Sequence, residues 1–317
     1  MKFVVKKEDS CCGKDILTLL RSMSLSSKMI KYLKYRDDGI TVNGSRVTVR
    51  YVLKENDTLS LAVDDSESAN CMPTEVDIDV IYEDSDLIVV NKPPFMPTHT
   101  SHGHYDDTLA NALAGYFSKK GFPFVFRPIN RLDRNTSGLV LVAKNKRAAA
   151  FLSSEMRAHR ISKVYIAVLD GELPDPTETV ETPHGKMGIV NKPLHRTAAS
   201  IIVREICSED AHDAELAVTH YKILGRNNGL TLVEAHPQTG RTHQLRVHFA
   251  HLGCPILGDD IYGCPSSLIN RHALHALSLS LTLPPILLSV GKDEGCALNL
   301  KAELPEDMAD LVSNFFK

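Results

Sequence analysis

The stretch RPINRLDRNTSGLVLVAK, residues 127–144, runs a polar loop through Gly138 directly into an apolar strand pattern. A loop set on a rigid strand is where reactive side chains collect, because the strand fixes the place the loop's polar groups occupy. Within this stretch Asp133 is the one acid, set among Arg127, Arg131, Arg134 and Lys144. Nearby guanidinium groups favour the ionised carboxylate, so Asp133 reads as a persistent anion and a potential nucleophile. On local pattern alone, a structural ion pair or an Asx turn stays open for the same residue.

Outward from the loop, strand patterns and helix patterns alternate irregularly. VDIDVIYE, DLIVVNK, GLVLVAKN, KVYIAVLDG, ASIIVREI, LAVTHYKIL, GLTLVEAHP and ALSLSLTL read as strands. DTLANALAGYFSKK, KRAAAFLSSEMRAHR, THQLRVHFAHLG and PEDMADLVSNFF read as helices. Hairpins interrupted by helices, without a steady βαβ rhythm, predict an α+β domain over residues 76–317. Residues 1–63 read as a separate small module. Ile16, Leu17, Leu19 and Leu20 sit at helical spacing, and Ser26 is placed to cap a second helix with Met29, Ile30 and Leu33. Asn43-Gly44 then signals a hairpin. Residues 64–75, DDSESANCMPTE, are acidic and polar and read as a linker.

Composition narrows the class. Hydrophobic residues at 43% and charged residues at 24% suit a folded, water-soluble chain. No apolar run approaches the roughly eighteen residues of a membrane span, and residues 1–14 lack the apolar core of a secretory leader. Seven cysteines, Cys11 and Cys12 adjacent and the other five scattered, without a CxxC pair, point to a reducing, cytoplasmic setting. Net charge is only −3, but its distribution is uneven. Residues 64–86 hold nine acids and no Lys or Arg, whereas residues 119–163 hold eleven Lys and Arg against Asp133 and Glu155. Such a basic stretch reads either as a track for phosphates or as an ordinary solvated face.

A second polar segment, PQTGRTHQLRVHFAHLGCPILGDDIYG, covers residues 237–263. Its His243, His248 and His251 lack the i, i+4 pair with an intervening Glu that a zinc helix uses, so no metal site is expected. The loop histidines His99, His102 and His104 are read the same way. No GxGxxG or GxxxxGK[ST] pattern occurs. Asp77-Ile-Asp79-Val80 formally fits the DxDxV of haloacid-dehalogenase-type enzymes, but CMPTE stands where that family has an apolar strand. A glycosidase reading fails because the basic loop offers Asp133 no partner acid.

Read together, the segments resemble one family. NRLDRNTSGLVLVAKN resembles the signature loop of the RluA family of pseudouridine synthases, and GRTHQLRVHFAHLGCPILGDDIYG resembles its second signature. DLIVVNKPPFMPTH and RHALHALSLSLTLP resemble the opening segment and a late strand of the same catalytic domain. The N-terminal module, over about residues 12–63, resembles an S4 RNA-binding domain. The resemblance implies a mixed, mainly antiparallel sheet with flanking helices, preceded by a small αα-hairpin-β domain. It implies isomerisation of uridine in RNA, with ribosomal RNA favoured over transfer RNA. No cofactor, no metal, no membrane and no obligate protein partner is implied.

By the same resemblance Asp133 is the essential aspartate, attacking the base or the sugar. Arg241 is the arginine paired with it, Tyr165 the tyrosine set against the base, and Arg131 the arginine that fills the space left by the flipped nucleotide. Asn130, Arg134, Thr136, Lys163, His243 and Gln244 are expected RNA contacts, with Lys31 and Arg46 in the N-terminal module. Asn130 stands where the family usually has His. A non-catalytic RNA-binding protein is the competing reading; such a protein has no use for a paired anion at Asp133.

Overall fold

The computed structural model describes residues 2–7, 9, 11–22, 27–62, 71–101, 103–122, 124–283 and 296–316. Ser26, His102 and residues 64–70 of the expected linker lie outside them. The N-terminal module contains β1 (Lys2–Val4), α1 (Ile16–Ser22), α2 (Ser27–Tyr35), β2 (Ile40–Val42), β3 (Ser45–Arg46) and β4 (Thr58–Leu61). Its sheet runs β1-β4-β2-β3. The β2–β3 turn uses positive φ at Asn43 (52°) and Gly44 (80°), which suits the twist of a tight hairpin. Asn43 also accepts from the Thr58 amide at 2.8 Å and donates to Asp57 at 2.9 Å, tying the turn to β4. Ile16, Leu20, Leu33, Ile40, Leu59 and Leu61 form a core of the module's own.

Among the described residues, the remaining elements build one ten-stranded sheet with helices on both faces and a separate two-stranded sheet. They are β5 (Asp79–Glu83), β6 (Leu87–Lys92), α3 (Leu109–Lys119), β7 (Ser137–Ala143), α4 (Lys146–Arg157), β8 (Ser162–Asp170), β9 (Thr179–Thr182) and β10 (Gly185–Asn191). After them come β11 (Leu194–Arg196), β12 (Arg204–Ile206), β13 (Val218–Asn227), β14 (Leu230–Pro237), α5 (Gln244–His251), β15 (Leu274–Leu283), β16 (Cys296–Lys301) and α6 (Glu306–Phe315). The order is β5-β6-β7-β15-β8-β14-β13-β10-β9, with β16 also paired to β15. Every pairing is antiparallel except β7 with β15. This is the mainly antiparallel α+β architecture that the sequence predicts.

The continuous apolar runs of β6 and β7 follow from their place. Ile88, Val90, Val140 and Val142 join Leu109, Leu113 and Phe117 of α3 in one core. Leu87, Val89, Leu139 and Leu141 join Ala148 and Leu152 of α4 in another. A strand covered on both faces loses the polar half of its alternation. Residues 71–75, expected as linker, are docked on α3. The Asn111 side-chain amide donates to Met72 O at 2.8 Å, and a Cβ at Gly115 would lie 2.0 Å from Thr74 O. The predicted strand ASIIVREI shrinks to β12, because Ile201 and Ile202 are exposed in a turn. Strands β9 to β11 were not expected; their short, polar segments carry little periodic signal.

Candidate active site

The loop before β7 reaches the sheet at a point of very close contact. At Gly138 φ is +113°, and a Cβ would lie 2.3 Å from Ala276 O of β15. Only glycine adopts that backbone without strain and admits that approach. The start of β7 therefore lies flush against β15, whose other neighbour, β8, pairs Tyr165 with Ala276. Two segments far apart in sequence thus set Asp133 and Tyr165 on one cleft of about 570 Å³, which Arg131, Lys163, Arg241, His243 and Arg246 also line.

Asp133 keeps one fifth of its side chain exposed. Its Oδ2 lies 3.5 Å from Arg246 Nη1 and 3.9 Å from His243 Nε2. Arg246 is held from behind, since its Nε and Nη2 each donate to Asp259 at 2.7 Å. The Asp259 side chain is fully buried and also accepts from the amides of Ile261 and Tyr262. Burial alone would lower the Arg246 pKa, but the Asp259 hydrogen bonds and the charges of Asp259 and Asp133 outweigh it and raise it. The guanidinium is thus a fixed cation offering its remaining edge to Asp133. Burial, reinforced by the Asp133 charge, holds the Tyr165 phenol well above its ordinary pKa. Burial lowers the His243 pKa, against the pull of Asp133.

The expected pairing of Arg241 with Asp133 is corrected by this geometry. Arg241 lines the cleft, but its Nε donates to Leu216 O at 3.0 Å and its Nη1 lies 3.7 Å from Glu215. Arg246 faces Asp133 instead. The backbone explains the exchange: His243 sits in the left-handed region at φ 58°, so Arg241 precedes the helix, whereas Arg246 lies inside it.

The other expected contacts divide in two. Arg131, Lys163 and His243 present side chains to the cleft. Burial lowers the Lys163 pKa to about 8. Asn130 also lines the cleft, but its amide is occupied by β7, donating to Leu139 O at 3.0 Å and accepting from Leu141 N at 2.8 Å. Gln244 likewise serves the scaffold, accepting from Thr239 Oγ1 and Arg241 N and donating to Val218 O and Thr219 Oγ1. Thr136 is buried and bonded to His272 Nε2 at 2.7 Å. Arg134 is exposed, and its carbonyl accepts from Lys92. Lys31 is exposed on α2, and Arg46 pairs with Asp37 in the N-terminal module. Among the described residues no group of three or more His, Cys, Asp or Glu is arranged to hold a metal. No helix among them is long and apolar enough to cross a membrane.

The pattern of the family described as RNA pseudouridylate synthase matches residues 86–251, more than half of the chain, and brackets Asp133, Tyr165 and Arg246. The chain belongs to that family. YjbO of Bacillus subtilis, described as an uncharacterized RNA pseudouridine synthase, is 33% identical over 92% of this chain and 95% of its own. A protein of Zymomonas mobilis described as ribosomal large subunit pseudouridine synthase D is 32% identical over 85% of this chain and 84% of its own. Among solved structures, human RNA pseudouridylate synthase domain containing 4 superposes with a TM-score of 0.52 at 26% identity, covering 74% of this chain and 92% of that one. The protein is thus an RNA pseudouridine synthase, an isomerase, of the RluA type.

The synthase site contains residues that sequence reasoning did not single out. Lys92, fully buried at the end of β6, donates to Pro93 O, Met96 O and Arg134 O at 2.9, 2.8 and 3.2 Å. It stitches the opening segment to the Asp133 loop. Burial lowers its pKa to about 7, against the pull of Asp133 and with the help of Arg271. Arg271 pairs with Asp307 and donates to Asn135 O at 3.0 Å, bracing the same loop from behind. Arg246, Asp259, Lys92 and Arg271 all fall inside the quoted motifs. The available signal was a charged residue inside an otherwise apolar run, as in VVNKP and QLRVHFA.

Proposed function

We propose that this synthase converts specific uridines of large-subunit ribosomal RNA to pseudouridine, with Asp133 as the nucleophile acting on a nucleotide flipped into the cleft. The observation that carries the reading is the partly exposed Asp133 carboxylate, 3.5 Å from the fixed Arg246 guanidinium, in the same cleft as Tyr165. The glycosidic bond is inaccessible in a stacked helix, so the target nucleotide must leave the stack. The Asp133 carboxylate then attacks the nucleotide, N1–C1′ breaks, the base turns and C5–C1′ closes; the bond to Asp133 breaks to return the free carboxylate, with the C5 proton lost and a proton gained at N1. The rearrangement is internal and calls for no redox partner or phosphoryl donor. Tyr165 is a neutral phenol at neutral pH and serves as a wall for the base that excludes water. Arg131, Lys163 and Arg241 would hold the RNA backbone.

The choice of ribosomal RNA draws on the description of the Zymomonas mobilis relative, and an enzyme of such RNA works in the cytoplasm. Residues 1–63 act as an S4-like RNA-binding domain; their two helices on a small sheet with a core of its own support this. The test is tritium release from ribosomal RNA labelled at uridine C5. Asp133→Asn should abolish release while RNA binding persists, and normal turnover by that variant would sink the assignment.

A further inference from the structure

The catalytic cleft continues past Lys163 into a second pocket of about 320 Å³. Met156, His159, Lys163, Pro237 and Gln238 line both. The far pocket is built differently from the first. Ile161, Met187 and Pro183 supply walls of carbon and sulfur, and beside the polar Ser162, Glu181 and Thr182 stand three imidazoles, those of His184, His220 and His236. The His184 and His236 rings lie 4.6 Å apart, and His184 remains exposed, so an outer ring face is open to the pocket. His236 is fixed by Glu234 at 2.8 Å. His220 stands beside it, since β13 and β14 pair these two residues directly.

This lining suits a planar, uncharged heterocycle better than a phosphate. Glu234 and the pocket-lining Glu181 would repel an anion, whereas flat rings and thioethers accept the face of any base. Burial and the neighbouring His236 both lower the His220 pKa, so at neutral pH its ring offers one donor and one acceptor to a base edge. The phosphate chemistry lies between the two pockets. Lys163 lines both, so a strand with one nucleotide in each would carry its linking phosphate over that amine.

We propose that the histidine-lined pocket is a specificity subsite that holds the base of the nucleotide adjacent to the flipped uridine, with His184 as its stacking platform and His220 reading its edge. The proposal rests on the RNA-isomerising reading of the cleft and adds what selects the target within the strand. The probe is an unmodified transcript of large-subunit ribosomal RNA labelled at uridine C5, turned over by the full chain and by His184→Ala, His220→Ala and His184→Phe. Loss of one base–ring stack weakens binding on the order of tenfold. His184→Ala should therefore raise KM about tenfold, His220→Ala should raise it through the lost edge contact, and both should leave kcat within about twofold and convert uridines that the unaltered enzyme ignores. His184→Phe keeps a flat ring and should restore KM. A KM and a map of converted sites unchanged in both alanine variants overturn the subsite while leaving the chemistry intact. An unaltered enzyme silent on this RNA removes the reading on which the subsite rests, and does so before any variant is measured.

Discussion

Replacing Arg246 separates two roles that one side chain performs. Its charge sits 3.5 Å from Asp133. At an effective dielectric of about 20 that contact corresponds to roughly 5 kcal/mol before water is considered. Water reaches the exposed fifth of the Asp133 side chain, so about 2–3 kcal/mol, on the order of a hundredfold in kcat, is the expected loss. Arg246→Met alone also strands the fully buried Asp259 carboxylate, and removing one partner of a buried pair costs about 3–5 kcal/mol of stability. Adding Asp259→Asn removes the stranded charge and keeps an oxygen for the Ile261 and Tyr262 amides. The double variant should regain most of the stability in urea unfolding yet stay about a hundredfold slow in tritium release. Arg241→Ala is the control. It loses a bond to Leu216 O and an exposed ion pair worth at most about 1 kcal/mol, so KM should rise while kcat holds. A double variant with unaltered kcat, or an Arg241→Ala enzyme slowed a hundredfold, would refute the assignment of Arg246 as the counter-ion.

Three other outcomes follow from the same geometry. Gly138→Ala places a methyl 2.3 Å from Ala276 O at φ +113° and should cost at least about 3 kcal/mol in chemical denaturation; unchanged stability would show that the β7–β15 contact can relax. His248, His272 and His275 are held neutral, with pKa values of about 4, 3 and 4, chiefly by burial. Below the ordinary pKa of 6.5 the unfolded chain binds protons that the folded chain refuses. Stability therefore falls as pH drops from about 6.5 toward 4, by about 2 kcal/mol per histidine at pH 5, and a flat urea midpoint across that window would contradict the burial. Deleting residues 1–63 should raise KM for long RNA and broaden site choice while leaving kcat on a saturating short RNA; lost turnover with folding intact would place part of the chemistry in that module.

Residue order alone was enough for the class of fold and, through the family resemblance, for proposing Asp133 as the central acid. Apolar runs long enough for doubly covered strands, such as 139–143, and an Asn-Gly turn are local signals, and local signals survive without coordinates. Asp133 and Tyr165 were singled out by the family resemblance; the local pattern alone left an ion pair or an Asx turn open for Asp133. The counter-ion Arg246 was not singled out. The stretch 242–253 reads as a helix in which nothing marks Arg246, yet residues 244–249 are all buried. A helix buried on every side must neutralise any charge it carries, and Asp259, thirteen residues on, does so. Which arginine meets Asp133 depends on a left-handed residue at His243 and on the Asp259 carboxylate that holds Arg246, features set by packing between separate segments. Residue order encodes neither, so only the tertiary structure could choose Arg246 over Arg241.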